Sequence, residues 1–251
     1  MKSNPAEAIV PYKEKGHTKK EQVAEMFDNI SPRYDFLNHF LSLGIDIWWR
    51  QQAIRQLRNS TPRRILDVAT GTADFAIASL RLRPEKVVGV DISEGMLAFG
   101  REKLRRRGLH TQIELQTGDS ENLNFTDNYF DAVIVSFGVR NFENLEQGLA
   151  NIYRVLKPGG DLLVLEFSRP RQAPFRQLYN FYFKQVLPWL GRNISKDPAA
   201  YTYLPESVSA FPDGPDFVKI LEKIGFCDTQ CRPLTFGISS IYQGRKPVYA
   251  H

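Results

Sequence analysis

Acidic and small polar residues follow three short apolar segments in the first half of the chain. A turn of small residues lets the backbone approach a ligand closely, and a helix that begins there offers free N–H donors. A carboxylate at the end of the next segment can accept both hydrogens of a ribose diol. These residue types predict a site for a ligand that contains a nucleoside, formed by Asp67, Gly71, Thr72, Asp91, Asp119 and Ser120.

Each of these signals has an ordinary alternative when it is taken alone. The stretch around Gly71 could be a simple strand-to-helix turn, and Asp91 could cap a helix, a role for which Ser93 is an equal candidate. A dinucleotide site would need G-x-G-x-x-G. With Gly71 as the middle glycine, Asp74 stands third, where its carboxylate would meet the pyrophosphate. Three signals in order therefore favour a nucleoside site over a dinucleotide site.

Apolar segments alternate with helical patterns in the middle of the chain. Strands are expected near residues 63–69, 86–91, 112–118, 130–137 and 161–168, and helices near residues 74–82, 94–107 and 144–156. This alternation predicts an α/β fold with a parallel sheet covered on both faces. Because ligands bind beyond the carboxyl ends of such strands, we expect the polar residues above to surround one cleft.

The segments on either side of this region differ in character. Residues 1–20 are polar and basic and are expected to form a loose tail. A helical pattern begins at Glu21, Pro32 interrupts it, and a second helix is expected from about Ile45 to Leu57.

A second unusual segment, residues 169–212, is rich in proline and aromatic residues. It is too long for a plain connection, and insertions of this length are often lids. A helix near residues 214–224 and two strands near residues 226–234 and 236–246 are expected after it. We expect residues 21–251 to form one domain, with a helical cover over residues 21–58 and a substrate lid over residues 169–212.

Composition excludes several classes of protein. The 251 residues carry 33 Lys+Arg against 28 Asp+Glu, and this charge of +5 does not demand a polyanionic partner. The basic run from Arg101 to Arg107 includes Glu102, which favours a solvated helix face over a nucleic-acid surface. Cys227 and Cys231 cannot form a disulfide framework and are a poor metal site. So few thiols fit a reducing cytoplasm best. No apolar segment is long enough for a signal peptide or a membrane span.

The motifs resemble those of known enzymes. Residues 67–74, Asp91 and Asp119 look like successive motifs of class I S-adenosylmethionine (SAM)-dependent methyltransferases. Longer stretches resemble the ubiquinone/menaquinone biosynthesis C-methyltransferases (UbiE/MenG type), and these are residues 34–42 with Trp49, 137–141, 154–168 and 201–207. The resemblance covers residues 21–246. Thr70, Ala73 and Asp46 depart from the residues that are common in this family.

The resemblance implies a fold and a cofactor site. The fold would be a Rossmann-like, seven-stranded, mostly parallel sheet with helices on both faces, and its last two strands would form a hairpin. SAM would bind without a metal. Gly71 and Thr72 would face its methionine part with Asp67 nearby, Asp91 would hold the ribose, and Asp119 with Ser120 would hold the adenine. Ser136 would line the same pocket.

The resemblance also implies a substrate, a lipid quinol that is methylated on a ring carbon. We expect demethylmenaquinol to give menaquinol, with Arg140 stabilising a ring oxyanion and Tyr34 and Asn38 orienting the ring. The protein would touch the inner face of the membrane transiently, would need no nucleic acid, and could form a homodimer. The alternatives are a benzoquinol or dual-specificity enzyme, a methyltransferase for a soluble molecule or RNA, and a non-catalytic SAM-binding subunit.

Overall fold

A seven-stranded sheet forms the centre of the computed structural model, which describes residues 9–13, 16–33, 42, 44–182, 185 and 198–248. The strands are β1 (Arg64–Val68), β2 (Lys86–Asp91), β3 (Ile113–Thr117), β4 (Phe130–Ser136), β5 (Leu156–Phe167), β6 (Cys227–Leu234) and β7 (Ser239–Arg245). Their order is β3-β2-β1-β4-β5-β7-β6. Strands β1 to β5 are parallel, and β7 runs antiparallel to both β5 and β6. The predicted sheet and its terminal hairpin are confirmed.

Helices cover both faces of this sheet. They are α1 (Lys19–Ile30), α2 (Ile45–Arg55), α3 (Asp74–Ser79), α4 (Glu94–Arg106), α5 (Leu145–Val155), α6 (Phe175–Phe181), α7 (Pro198–Ala210) and α8 (Pro215–Ile224). Among the short 3-10 turns, Val139–Asn141 carries Arg140, and Thr235–Gly237 carries the exposed Phe236.

The core is divided between the two faces because successive strand residues point in opposite directions. Leu66 and Val133 pack on the face that α5 and α8 cover. Ile65 and Ile134, their neighbours in sequence, pack on the other face with residues of α2, α3 and α4. The nearly continuous apolar strands of the sequence are therefore strands buried on both sides, as the pattern predicts.

The first helix begins two residues before the expected start at Glu21. Thr18 accepts a hydrogen bond from the Glu21 backbone N–H, and the Glu21 carboxylate accepts one from the Thr18 N–H. This capping box satisfies free donors of the first turn and fixes the start at Lys19. The second helix ends at Arg55, two residues before the expected Leu57.

The sheet order also fixes where a ligand can bind. Strand β1 lies between β2 and β4. The chain builds the sheet outwards from β1 in one direction through β2 and β3, and in the other direction through β4 and β5. A crevice opens beyond the carboxyl ends of the strands at such a point. The turns that follow β1, β2 and β4 meet there.

Candidate active site

A pocket with about 620 Å³ of empty space, part of it open to solvent, lies beyond the carboxyl ends of β1 to β4. Five of the predicted cofactor residues line it, and these are Gly71, Asp91, Asp119, Ser120 and Ser136. Helix α1 contributes Lys20, Val23 and Phe27 to its wall. The structure therefore brings residues from the ends of four neighbouring strands together at one pocket.

The turn after β1 brings its backbone close to the pocket. Ala69, Gly71 and Ala73 all have positive φ angles, 54°, 54° and 70° respectively. Glycine adopts this conformation without steric cost, whereas each alanine is strained. At the facing turn, a Cβ added to Gly138 would lie 2.6 Å from the Ala69 Cβ. The two turns can approach each other only because position 138 has no side chain.

Asp91 ties the second strand end to this turn. One carboxylate oxygen accepts a hydrogen bond from the Gly71 N–H at 2.7 Å, and the other accepts from the Ser93 N–H at 2.9 Å. Burial raises the pKa of Asp91 to about 6, although these backbone donors oppose the increase. Ser93, and not Asp91, caps α4 by accepting from the Met96 N–H. The remaining lone pairs of Asp91 are the ones that could accept ribose hydroxyls.

Asp67 and Thr72 are not among the residues that line the pocket, and their expected place beside the methionine part of SAM stays a prediction. Asp67 is fully buried behind the turn, where it accepts a hydrogen bond from the Thr70 hydroxyl at 2.6 Å. Burial raises its pKa to about 7. The Thr72 hydroxyl turns towards Lys103, whose Nζ donates to it at 3.0 Å. Both residues shape the turn from behind.

A lysine at the pocket was not predicted. The Lys20 Nζ lies 2.6 Å from Asp119 Oδ2 and 3.4 Å from Glu121 Oε2. Asp119 also accepts from the Glu121 N–H. Lys20 stands 99 residues before Asp119 in the chain. Only the position of α1 on the sheet brings the two together, so the local sequence around Lys20 held no signal for this contact.

Two polar atoms in the pocket wall lack partners. The Ser136 hydroxyl and the Asn141 side-chain oxygen are buried and make no hydrogen bond within the described part of the chain. A buried polar atom left unpaired costs about 1–3 kcal/mol. The pocket wall is therefore suited to a ligand that supplies hydrogen-bond donors at these two atoms.

Arg140 follows β4 next to this pocket but points away from it. Its Nη1 donates to the Phe137 carbonyl at 2.5 Å and to Glu166 Oε1 at 2.8 Å. Glu166 is fully buried at the end of β5 and also accepts from the Phe167 N–H at 2.8 Å. Burial raises the pKa of Glu166, while the charge of Arg140 opposes this. The pair is a buried ion pair rather than a salt bridge on the surface.

A cluster of aromatic rings lies beside the ion pair. The rings of Phe137 and Phe167 lie 4.5 Å apart, and Trp49 of α2 packs on both at 6.1 Å. The Arg140 guanidinium lies 5.4 Å from the Phe167 ring. Tyr203 of α7, a helix that contacts the turn carrying Arg140, is buried against α1. Aromatic side chains of β5, α2 and α7 therefore pack around this small polar centre.

Two predicted residues, Tyr34 and Asn38, lie outside the described residues. Asp46, which departs from the family pattern, is described: its carboxylate binds Arg50 at 2.5 Å, one turn further along α2, and accepts from the Ser42 hydroxyl at 2.7 Å. Asp46 is thus part of a buried ion pair within the first turns of α2, and it also links the start of that helix to Ser42.

Comparisons with known proteins give the chain a family. The profile described as the ubiE/COQ5 methyltransferase family matches residues 15–246. A demethylmenaquinone methyltransferase of Bacteroides fragilis is 50% identical over 243 residues, 96% of this chain and 99% of the relative.

This chain belongs to the ubiE/COQ5 methyltransferase family.

Another relative, the ubiquinone/menaquinone biosynthesis C-methyltransferase UbiE of Geobacter sulfurreducens, is 46% identical over 91% of this chain and 90% of its own. A SAM-dependent methyltransferase of Thermotoga maritima, titled a possible histamine N-methyltransferase, has a TM-score of 0.61 and 20% identity, and the match covers 88% of this chain and 98% of that one. At that identity the structural likeness shows the fold, and the sequence relatives carry the family.

Three further observations concern an RNA-binding surface, a metal site and a membrane span. In the basic run, Arg101 pairs with Glu94, and Arg105 and Arg106 pair with Glu102. Among the described residues no group of three His, Cys, Asp or Glu side chains comes together as around a metal ion. None of the helices in that part of the chain combines the length and the apolar character that a bilayer crossing requires.

Proposed function

We propose that this protein transfers the methyl group of SAM to a ring carbon of demethylmenaquinol and so forms menaquinol. The proposal depends on where the pocket and Arg140 lie relative to each other in a chain of this family. A pocket at the strand ends, with two unpartnered polar atoms in its wall, lies beside a buried arginine that packs on an aromatic ring.

The pocket suits the parts of SAM. Asp91 retains lone pairs for the ribose hydroxyls, and Asp119 with Ser120 presents polar atoms where the adenine is expected. The unpartnered oxygens of Ser136 and Asn141 suit the ammonium group of the methionine part. When bound, SAM supplies an electrophilic methyl group.

The substrate must be the reduced quinol because a quinone ring is electrophilic. Loss of a hydroxyl proton makes the neighbouring ring carbon nucleophilic. That carbon takes the methyl as the sulfur–carbon bond breaks, and its own hydrogen then leaves as a proton to restore the aromatic ring. A phenol has a pKa near ~10, so favouring the anion at neutral pH requires about 3 pKa units, or ~4 kcal/mol.

Arg140 supports this chemistry by donating hydrogen bonds and not by taking a proton, because a guanidinium does not give up its proton in proteins. Glu166 fixes it in place through the buried ion pair. The rings of Phe137 and Phe167, which are only partly buried, are the apolar surface beside Arg140 that a fused aromatic ring could contact. The naphthoquinol is favoured over a benzoquinol because the Bacteroides fragilis relative is named for demethylmenaquinone.

A lipid quinol stays in the bilayer, so we propose that the protein works at a membrane surface. Phe236 is 68% exposed and stacks at 3.7 Å on Phe175, while Leu178 and Phe181 of α6 are 65% and 60% exposed. We call these four residues the apolar tip. Thr235, beside Phe236, accepts a hydrogen bond from the Trp49 indole at 2.8 Å. The apolar tip is therefore connected to the rings around Arg140.

The backbone at Thr235 and Phe236 is strained. Thr235, Phe236 and Gly237 have φ angles of 45°, 56° and 92°. A positive φ is costly for a β-branched or bulky residue. Two exposed arginines, Arg171 and Arg176, lie close by in sequence, and cations beside an apolar surface favour contact with anionic lipid.

The experiment is methyl transfer from labelled SAM to dispersed quinones. Reduced demethylmenaquinol should be labelled, and the same quinone kept oxidised should not, since only the reduced ring is nucleophilic. A demethoxy-type benzoquinol should be a poorer substrate. Equal labelling of the oxidised and reduced forms would contradict the mechanism, and labelling of the benzoquinol alone would contradict the substrate.

A further inference from the structure

Two buried hydrogen-bond donors beside the ion pair have no partner in the described chain. One is the Nε–H of Arg140, whose Nη1 already serves Phe137 and Glu166. The other is the hydroxyl of Tyr203, which is 3% exposed. Native proteins pair nearly all of their buried donors. Two unpaired donors in one place therefore indicate that something else completes the site.

The two donors belong to the same polar centre. Helix α7 packs against the turn Val139–Asn141, which carries Arg140. Burial raises the pKa of the Tyr203 hydroxyl, the Arg140 cation opposes this, and the Glu166 carboxylate adds to it. The hydroxyl therefore lies within electrostatic range of both members of the ion pair.

The charge of Arg140 cannot by itself stabilise a substrate oxyanion. Glu166 is fully buried and accepts from the Arg140 side chain at 2.8 Å and from its backbone N–H at 3.4 Å. The pair has no net charge. An oxyanion beside it would depend on individual donors, and hydrogen bonds to an ionised oxygen are about twice as strong as those between neutral groups.

We propose that the Tyr203 hydroxyl, together with the Arg140 Nε–H, binds the ring oxygen next to the methyl-accepting carbon of a phenolic substrate. This deepens the proposed function, on which it rests, and it makes Tyr203 a substrate-binding residue. The ligand class is a hydroquinone or naphthol that binds as its oxyanion. The rings of Phe137 and Phe167 form the apolar wall beside this oxygen.

The variant Tyr203→Phe removes one oxygen and keeps the ring that packs on Val23 and Met26. The bound phenol should then ionise less readily. At neutral pH kcat should fall at least tenfold, and the rising limb of kcat against pH should move up by about one pH unit, because tenfold corresponds to one pKa unit. The Kd for SAM should stay the same. The matched control is Tyr153→Phe, where the ring packs on Phe226 away from the site.

A binding measurement tests the donors without turnover. The probe is 4-methoxy-1-naphthol, whose ionisation changes its absorption, titrated in the presence of S-adenosylhomocysteine. The wild-type protein should lower the pKa of the bound naphthol more than Tyr203→Phe does, and Tyr153→Phe should match the wild type. Equal pKa values in wild type and Tyr203→Phe, or no binding of the naphthol, would overturn the inference. A shifted naphthol pKa without quinol methylation would overturn the proposed function and leave the Tyr203 site standing.

Discussion

At the scale of single residues, the buried charge of Arg140 and that of Glu166 each depend on the other for stabilisation. The guanidinium and the carboxylate are both buried, and each would be costly in that place alone. The proposed catalytic role of Arg140 therefore requires Glu166 to hold it. A variant that removes only one partner will mix a loss of stability with a loss of chemistry.

We predict that Arg140→Ala lowers the free energy of unfolding by about 3–5 kcal/mol, because Glu166 is left as an unpaired buried charge. Adding Glu166→Gln should restore much of this stability by removing that charge. Both variants should lose about a hundredfold or more in kcat, with the Kd for SAM changed by less than about threefold. Urea unfolding, calorimetry and the methyl-transfer assay separate the effects. Recovery of activity in the double variant would remove Arg140 from the mechanism.

Asp67 should make stability depend on pH. Burial raises its pKa from 3.8 in the unfolded chain to about 7. The folded state therefore keeps a proton that the unfolded chain loses near pH ~4. This favours folding at low pH, and the advantage is lost as the pH rises to 7. Asp91, with a pKa raised to about 6, acts in the same direction.

We predict that Asp67→Asn removes this dependence. The free energy of unfolding of the wild type minus that of the variant should fall between pH 4 and 7, by no more than ~1.4 kcal/mol per pH unit for one proton. Urea unfolding across this pH range measures the difference. A constant difference, or one that grows with pH, would show that Asp67 is ionised in the folded protein throughout.

At the scale of elements, α1 is held at both ends by contacts with loops of the sheet. Near its start Lys20 binds Asp119, and near its end Asp28 accepts hydrogen bonds from the Ser93 hydroxyl at 2.6 Å and the Gly95 N–H at 2.9 Å. The carboxylate of Asp28 thus lies at the N-terminus of α4, where a negative charge is favourable. These contacts fix the helix that forms a wall of the pocket at the strand ends.

We predict that Asp28→Ala weakens SAM binding although Asp28 does not line the pocket. Loss of the contact at the start of α4 should cost about 1 kcal/mol of stability. Loosening of α1 should raise the Kd for SAM about threefold to tenfold, equivalent to ~0.7–1.4 kcal/mol. The control is Lys219→Ala, which removes an exposed pair with Asp216 on α8. An unchanged Kd in a less stable Asp28→Ala protein would show that α1 does not support the pocket.

The sequence predicted those site residues that immediately follow strands. Asp91 and Asp119 were predictable because the carboxyl ends of parallel strands meet at one edge, so their place follows from local patterns. Ser136 came from the family resemblance. Lys20, Asp28 and Tyr203 were not predictable, because their contacts depend on how α1 and α7 pack on the sheet. Thr72 was assigned to the pocket from its position in the turn, but the hydrogen bond from Lys103 turns its side chain away.

At the scale of the whole molecule, the two edges of the sheet differ. Strand β3 and helix α4 lie at one edge, and β6 with the apolar tip lies at the other. The alternation of apolar strands and helices predicted the parallel part of this sheet. The family resemblance implied only that the last two strands form a hairpin, and the placement of β7 between β5 and β6 was not predicted, since local patterns do not determine which strands become neighbours.

We predict that Phe236→Ser reduces binding to liposomes of anionic and neutral lipid. The substitution removes the most exposed ring of the apolar tip, and membrane binding scales with buried apolar area. Flotation measures the bound fraction, which should fall severalfold. The matched control is Phe99→Ser, an exposed ring on α4 at the opposite edge of the sheet, and it should float like the wild type.

Equal loss of flotation in Phe236→Ser and Phe99→Ser would contradict a specific membrane face. Sedimentation of the wild type tests whether a second copy of the chain, rather than a membrane, covers the apolar tip. If the apolar tip is instead covered by a second copy of the chain, Phe236→Ser should convert a dimer to a monomer and leave flotation unchanged.

The central claim is methylation of a naphthoquinol ring at carbon, and one competition experiment tests it most directly. Reduced demethylmenaquinol and a reduced demethoxy-type benzoquinol are mixed in equal amounts with SAM that carries an isotopically labelled methyl group, and the products are examined by NMR. The label should appear as a methyl on a ring carbon of menaquinol, with little in the benzoquinol. Label on a quinol oxygen, or label only in the benzoquinol, would contradict the account.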